Sequence, residues 1–460
     1  MPGYGPVPFP LYSGYLSLPN GHHYHYMFAE SANPATDPVI QFMNGGPGAS
    51  SLDFFFTEGG PLSTNVNSLA HNVSGAPQLF PNPESWTNVG SILVLESPAS
   101  VGFSYIDAPF VFNDSSTAQD NYDALVMFFD QKFPELKKNP YFLTGESYAG
   151  VYGPMLADLI LKGNSGINFA GMAIGDGCIG DEVGTCSPEG MRIQADTLFS
   201  FRMISPLLYA KMQATCTSWA YPNEACQGLI NEMSRQAGNY YVYYVLSTCS
   251  NMQLSLLDRH TQTQTGGYLD KAWSASHWEA LYNAAADAGI HPAALHPYAD
   301  PSSIAPHAPS LGQPDDYICG SQTALGVWLA NPDVQSAIHV ASRGKAFPFQ
   351  YDRTAKDLRP VYAQIATKVP VLIYSASDDD CVPTSGSFEW TVGLGLQEEQ
   401  PWTPWYVDGE FGQYLGGYSV QYAEDFTFLT IQGAGHEAPT FRPKAALTMI
   451  NSFVSNIING

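Results

Sequence analysis

Tyr141-Phe142-Leu143-Thr144-Gly145-Glu146-Ser147-Tyr148-Ala149-Gly150 is the stretch from which the rest of the chain can be read. A short β-prone run leads into a small residue, an acid and a serine, and Val151 to Lys162 follow with apolar residues at helical spacing. Strand, sharp turn and helix in that order lift a serine hydroxyl above the edge of a sheet, because small residues two positions either side let the chain reverse tightly. The second small residue is Ala149, with Gly150 just behind it, where glycine is usual. Taken alone, the stretch also fits a buried serine in an ordinary strand-to-helix turn, so its partners have to decide.

Working outward, short apolar or β-branched runs recur at Val39 to Met43, Ser91 to Leu95, Tyr141 to Thr144, Ala170 to Ile174, Val369 to Tyr374 and Thr427 to Ile431. Runs of this length that lead into turn signals read as buried parallel strands. Helical patterns lie between or after them, at Ala118 to Phe133 and at Pro443 to Ile458, the latter opening with proline at a helix start. Alternating strands and helices predict an α/β chain with a doubly wound, mostly parallel central sheet. Between about Gly180 and Pro314 that rhythm stops, and cysteines, tyrosines and a Pro/His-rich passage take over. The expected organisation is residues 1–179 as the first part of a core, 180–314 as an inserted cap subdomain and 315–460 as the second part of the core. No internal repeat of 20 to 50 residues is visible, which sets aside solenoids and propellers.

A serine is a weak nucleophile unless a base takes its proton and a carboxylate orients that base. In an α/β-hydrolase fold the acid and then the histidine follow the serine in the chain, each just past a strand. Val371 to Ser375 runs into Asp378-Asp379-Asp380-Cys381-Val382-Pro383, and Phe428 to Ile431 runs into Gly433-Ala434-Gly435-His436-Glu437. Acyl transfer also needs N–H donors for a developing oxyanion. Asn44-Gly45-Gly46-Pro47-Gly48, directly after the first strand, offers a loop whose backbone can approach closely, and the donors assigned are the N–H groups of Gly46 and Tyr148. Phosphate binding by this loop is not expected, since no Lys-Ser/Thr follows it.

Composition limits the partners. The chain has 460 residues, 45% hydrophobic and only 13% charged, so a large core is expected and disorder is not. The net charge of -24, with no basic tract, makes nucleic acid a poor partner. No apolar run reaches the roughly 18 residues needed to span a bilayer, and the N-terminus shows no charged stretch followed by an apolar one. Two sequons, Asn72-Val73-Ser74 and Asn113-Asp114-Ser115, and seven cysteines favour a glycoprotein of an oxidising compartment. Spacing pairs Cys178 with Cys186 and Cys216 with Cys226; the pairing of Cys249 with Cys319 is left open, with Cys381 as the odd thiol. The run His22-His23-Tyr24-His25-Tyr26 could supply a metal site only if His23 and His25 converged from one face of a strand. His339 reads as a structural histidine. Neither metal nor cofactor is expected.

With these residues assembled, the sequence resembles the serine carboxypeptidase family over nearly its whole length. The resemblance runs through Tyr12-Ser13-Gly14-Tyr15-Leu16, Asn44 to Leu52, Val101-Gly102-Phe103-Ser104-Tyr105, Gly145 to Gly150 and Gly433 to His436. It implies a serine-type carboxypeptidase that releases C-terminal amino acids through an acyl-enzyme at acidic pH, in a secreted, lysosomal or vacuolar setting. It makes Ser147, Asp379 and His436 the triad, with Pro383 as anchor and Asp378 and Asp380 as candidates only if the loop slips by one. It further implies that Asn44, Gly45 and Glu146, with Glu58 as partner carboxyl, hold the substrate's α-carboxylate. Peptide or protein C-termini are then the expected partners, and self-association as a homodimer is left open. The chain departs from the family at Ala49, where a bridged cysteine is usual, and at Ala376 and Ser377. The alternatives are an acyltransferase, esterase or hydroxynitrile lyase on the same scaffold, or a protective binding protein. Glu rather than Asp before Ser147, together with Glu58 and Asn44, favours the peptidase.

Overall fold

Strict alternation along the buried strands produces two cores, one on each face of a sheet. In the computed structural model, which describes residues 1–247, 320–341 and 347–459, Tyr141 and Leu143 join one core while Phe142 joins the other. Val371 and Ile373 likewise face the first core, and Leu372 and Tyr374 the second.

In chain order the main elements are β1 (Leu11–Ser17), β2 (His22–Ala29), β3 (Val39–Met43), β4 (Ser91–Leu95), α1 (Asp114–Met127), β5 (Tyr141–Glu146), α2 (Ala149–Lys162) and β6 (Phe169–Gly175). There follow α3 (Gly190–Ser200), α4 (Pro206–Thr215), α5 (Glu224–Ala237), α6 (Ser321–Leu329), α7 (Pro332–Ala337), α8 (Arg359–Ala366), β7 (Val371–Ala376) and α9 (Thr384–Val392). The chain closes with β8 (Glu398–Gly409), β9 (Gly412–Tyr422), β10 (Phe426–Ile431), α10 (Ala438–Phe441) and α11 (Pro443–Asn459). The strands share one sheet in the order β1-β2-β4-β3-β5-β6-β7-β10-β9-β8, with short Tyr105–Ile106 beside β2. The six strands from β4 to β10 pair in parallel, and the edge pairs are antiparallel. Helices α1 and α2 cover one face through Leu125, Val151 and Leu156, and α11 covers the other through Met449, Ile450 and Val454.

The six runs picked out from the sequence are these six parallel strands, and the mostly parallel sheet is as expected. Boundaries moved for local reasons. The fifth run begins at Val371 rather than Val369, since Pro370 has no N–H to give a ladder. The helix expected from Ala118 starts at Asp114, because Asn113 accepts the Ser116 N–H at 2.9 Å while the Ser116 hydroxyl accepts the Asn113 N–H at 2.9 Å. It also widens into a π-helical turn over Phe128–Lys132 before Phe133 is reached. Among the described residues no helix is long and apolar enough to cross a membrane.

Candidate active site

The candidate residues other than Glu58 end or follow β3, β5, β7 and β10, at one edge of the parallel sheet, where open α/β sheets bind ligands; Glu58 closes a π-helical turn, Phe54–Glu58. Ser147 follows β5 with φ +61°, a left-handed backbone that a side chain tolerates only when its surroundings enforce it. The enforcement is visible. Its N–H donates to the Gly175 carbonyl at 3.0 Å, and its own carbonyl accepts from Gly150 and Cys178 at 2.9 and 3.0 Å. A Cβ at Gly145 would lie 2.7 Å from the Ala149 methyl, so glycine on one side of the turn leaves room for alanine on the other.

Of the three aspartates after β7, Asp379 is the one that reaches the histidine. Its Oδ2 lies 2.7 Å from His436 Nδ1, with both side chains buried. The same carboxylate accepts the N–H groups of Cys381 at 2.7 Å and Val382 at 3.0 Å, which fix its plane. Asp378 instead accepts from the Ser377 hydroxyl at 2.7 Å, and Asp380 from the Tyr240 hydroxyl at 2.5 Å, so the one-residue slip does not occur. His436 Nε2 is buried and makes no hydrogen bond among the described residues, and Ser147 is half-buried.

The Gly-rich loop after β3 runs in contact with the Ser147 turn: a Cβ on Gly45 would sit 2.2 Å from the Tyr148 nitrogen and 2.7 Å from the Ser147 Cβ. The N–H groups of Gly45, Gly46 and Tyr148 donate to no group among the described residues. Beside them the Asn44 amide donates to Glu58 Oε1 at 3.0 Å and to Glu146 Oε1 at 2.9 Å, while each acid's Oε2 is buried and makes no hydrogen bond among the described residues. Burial, then the Asp53 carboxyl, pushes Glu58 from 4.5 up to about 8. Burial, then the Glu58 and Glu437 charges, holds Glu146 well above the usual range.

Two acids of this cluster escaped the sequence reading. Asp53 is pushed up to about 7 by burial, with Thr57 Oγ1 3.0 Å from its Oδ1. Glu437, beside His436, is held well above its usual range by burial and then by Asp53 and Glu58, and it accepts from Gln322 at 2.5 Å. The only signal for Asp53 was an acid set between Leu52 and Phe54-Phe55-Phe56. A third, Asp176 at the end of β6, accepts from the Ser375 hydroxyl at 2.8 Å and the Ala376 N–H at 2.9 Å. It too is raised, by burial and then by Asp379.

The three N-terminal histidines do not converge. His22 lies 2.6 Å from Asp120, His23 3.3 Å from Asp107 and His25 3.2 Å from Glu96, each with its own carboxylate. Asp379, Cys381 and His436 come within 4.8 Å of one another, but the acid and base in that group are already bonded to each other. His339 Nδ1 meets the Ser13 hydroxyl at 2.8 Å. Cys178–Cys186 and Cys216–Cys226 are bridged as spacing predicted, Cys381 is a buried thiol outside both bridges, and Cys249 with Cys319 lies outside the described residues.

Comparison with known proteins gives the family and the fold. The family model described as serine carboxypeptidase matches residues 2–456. The lysosomal protective protein of Mus musculus is 32% identical, over 99% of this chain and 92% of that protein. Serine carboxypeptidase 1 of Hordeum vulgare is 28% identical, over 99% and 91% respectively. The crystal structure of Kex1Δp, a prohormone-processing carboxypeptidase from Saccharomyces cerevisiae, superposes with a TM-score of 0.64 at 16% identity, covering 100% of this chain and 94% of that one. The fold is therefore an α/β-hydrolase-like one, and the chain belongs to the serine carboxypeptidase family.

Proposed function

We propose that this serine-type carboxypeptidase works through Ser147, His436 and Asp379, selects peptides by their free C-terminus, and does so at acidic pH. The observation that carries the reading is the acid pair held on one amide: Glu146, the residue before the nucleophile, and Glu58, both bonded to Asn44. A carboxyl group meets a carboxylate favourably only with a proton between them, and two buried acids in contact keep one.

In the proposed cycle Ser147 Oγ attacks the scissile carbonyl carbon as its proton passes to His436 Nε2, while Asp379 Oδ2 accepts from Nδ1–H and fixes the tautomer. The oxyanion is received by the N–H groups of Gly46 and Tyr148. The C–N bond then breaks, the proton moves from His436 to the leaving amine, and the C-terminal amino acid departs. Water, deprotonated by His436, attacks the acyl carbon; the ester C–O bond breaks, His436 returns the proton to Ser147 Oγ, and the shortened peptide leaves with a new carboxyl group. The substrate's α-carboxylate is held by Asn44, the Gly45 N–H and the proton shared by Glu146 and Glu58. Residues 180–314 are taken as an inserted cap subdomain, and the setting as secreted, lysosomal or vacuolar, as the disulfides and the name of the mouse relative support.

The test is release of the C-terminal residue from blocked dipeptides at about pH 5 and pH 8, with Ser147→Ala and C-terminally amidated peptides as controls. Release at the lower pH that vanishes in both controls is expected. Equal cleavage of amidated and free peptides would overturn the carboxylate reading.

A further inference from the structure

Residues 240–245 belong by sequence to the inserted part, yet they thread between two loops of the core. On one side the Val242 carbonyl accepts the Asp380 N–H at 2.9 Å, the Val245 N–H donates to the Asp378 carbonyl at 2.8 Å, and the Tyr240 hydroxyl donates to Asp380 Oδ2 at 2.5 Å. On the other side the Tyr243 carbonyl accepts the His436 N–H at 2.7 Å, and the Tyr243 ring centroid lies 5.0 Å from that of His436. The approach is tight enough to dictate sequence: a Cβ at Gly435 would lie 2.4 Å from the Tyr243 oxygen and 2.7 Å from the Tyr244 Cβ. Tyr240, Val242, Tyr243 and Val245 are all buried.

Strands β7 and β10 are hydrogen-bonded neighbours, and their ladder sets where each loop begins. It does not set where each loop ends. Asp379 lies three residues beyond Ala376 and His436 five beyond Ile431, so the 2.7 Å contact between them depends on how two irregular segments curl. Residues 240–245 bond to the backbone of both. We propose that Tyr240–Val245 is a positioning strap that holds the Asp379–His436 pair in register, acting through the Tyr240 hydroxyl and the Tyr243 ring. The strap rests on the triad proposed above. It makes a part of the insertion an integral part of the acid and base, not only a wall over the pocket.

Full-length Tyr240→Phe and Tyr243→Leu are compared with wild type by two readouts. One is kcat and KM on a blocked dipeptide; the other is the rate at which a fluorophosphonate labels Ser147, which needs an aligned acid and base but no substrate carboxylate. Both kcat and the labelling rate fall together, on the order of ten- to hundredfold, as a displacement near 1 Å costs, while KM stays within about twofold. If Tyr240→Phe does not fold, Tyr243→Leu carries the test, since it keeps the carbonyl bonded to His436. A folded variant with unchanged kcat and labelling overturns the strap, whatever its melting point, and so does a rise in KM alone. Wild-type protein that is not labelled at Ser147 overturns the triad, and the strap with it.

Discussion

Ionising the acid pair should abolish recognition before it abolishes chemistry. Glu58 is pushed up to about 8, so below that pH the pair keeps a proton for the substrate's carboxylate. The substrate's own carboxyl ionises near 3.5, which sets a binding window from roughly pH 4 to pH 8. Above it Glu58 gives up its proton, and KM rises by up to about tenfold per pH unit as the pair charges. Glu58→Gln with Glu146→Gln puts neutral amides at both positions, and the rise should shrink to within about twofold. Binding is measured cleanly in Ser147→Ala, where calorimetry with a blocked dipeptide gives Kd without turnover. A Kd that is flat between about pH 6 and pH 9 with the native acids, or one that rises equally in the double glutamine variant, would refute the reasoning.

The same burial sets the sign of stability against pH. Asp53 at about 7 and Glu58 at about 8 have folded values above their unfolded ones, so the folded state binds more protons between pH 4 and 8. Their contribution is complete below about pH 4 and lost as pH rises through 7 and 8; the melting temperature at about pH 5 should exceed that at pH 8 by several degrees, and the opposite order in calorimetry would contradict it. Gly45→Ala forces a Cβ to 2.2 Å from the Tyr148 nitrogen, and kcat should fall at least a hundredfold, as for loss of an oxyanion donor, with the fold retained by circular dichroism. A variant within tenfold of wild type would show that the loop can yield. Asn72 is exposed beside a tight turn, whereas the Asn113 side chain is half-buried and caps α1, so in a secretory host peptide mapping should find glycan on Asn72 and none on Asn113. Glycan on Asn113 would mean that this cap opens.

The central sheet was legible because its strands are buried on both faces and read as unbroken apolar runs. The edges were not. Strand β8 is exposed at nearly every position, and β1 at two with only Leu16 fully buried, so neither carries a run that outranks a loop. The proposed triad could be named from the sequence because each member sits just past such a run. Glu437 and Asp53 were not, since what distinguishes an acid at a site from one on the surface is burial, and burial here arises from segments far apart in the chain. The bond between Tyr240 and Asp380 spans 140 residues, and no local pattern encodes it.

The choice of acids to hold an acid also follows from physics. A guanidinium would bind a carboxylate more strongly and at any pH below 12, since it does not titrate in proteins. It would bind the released amino acid as firmly as the peptide, at every pH the enzyme meets. The proposed arrangement of an amide, a backbone N–H and a protonated pair binds through neutral donors, which hydrogen-bond the carboxylate without the ion pair and the bidentate fork a guanidinium adds. Its affinity is therefore modest and conditional on the pair's proton. That condition needs a dry site, because water would let both acids ionise near their ordinary values. Asp53 and Glu58 are buried and flank the buried Phe54, Phe55 and Phe56, which belong to the same apolar core as Ala434 and Ala438 on either side of His436. Opening this core by Phe55→Ala should therefore lower the pH at which KM begins to rise, while a merely structural packing role would lower the melting temperature and leave that pH unmoved.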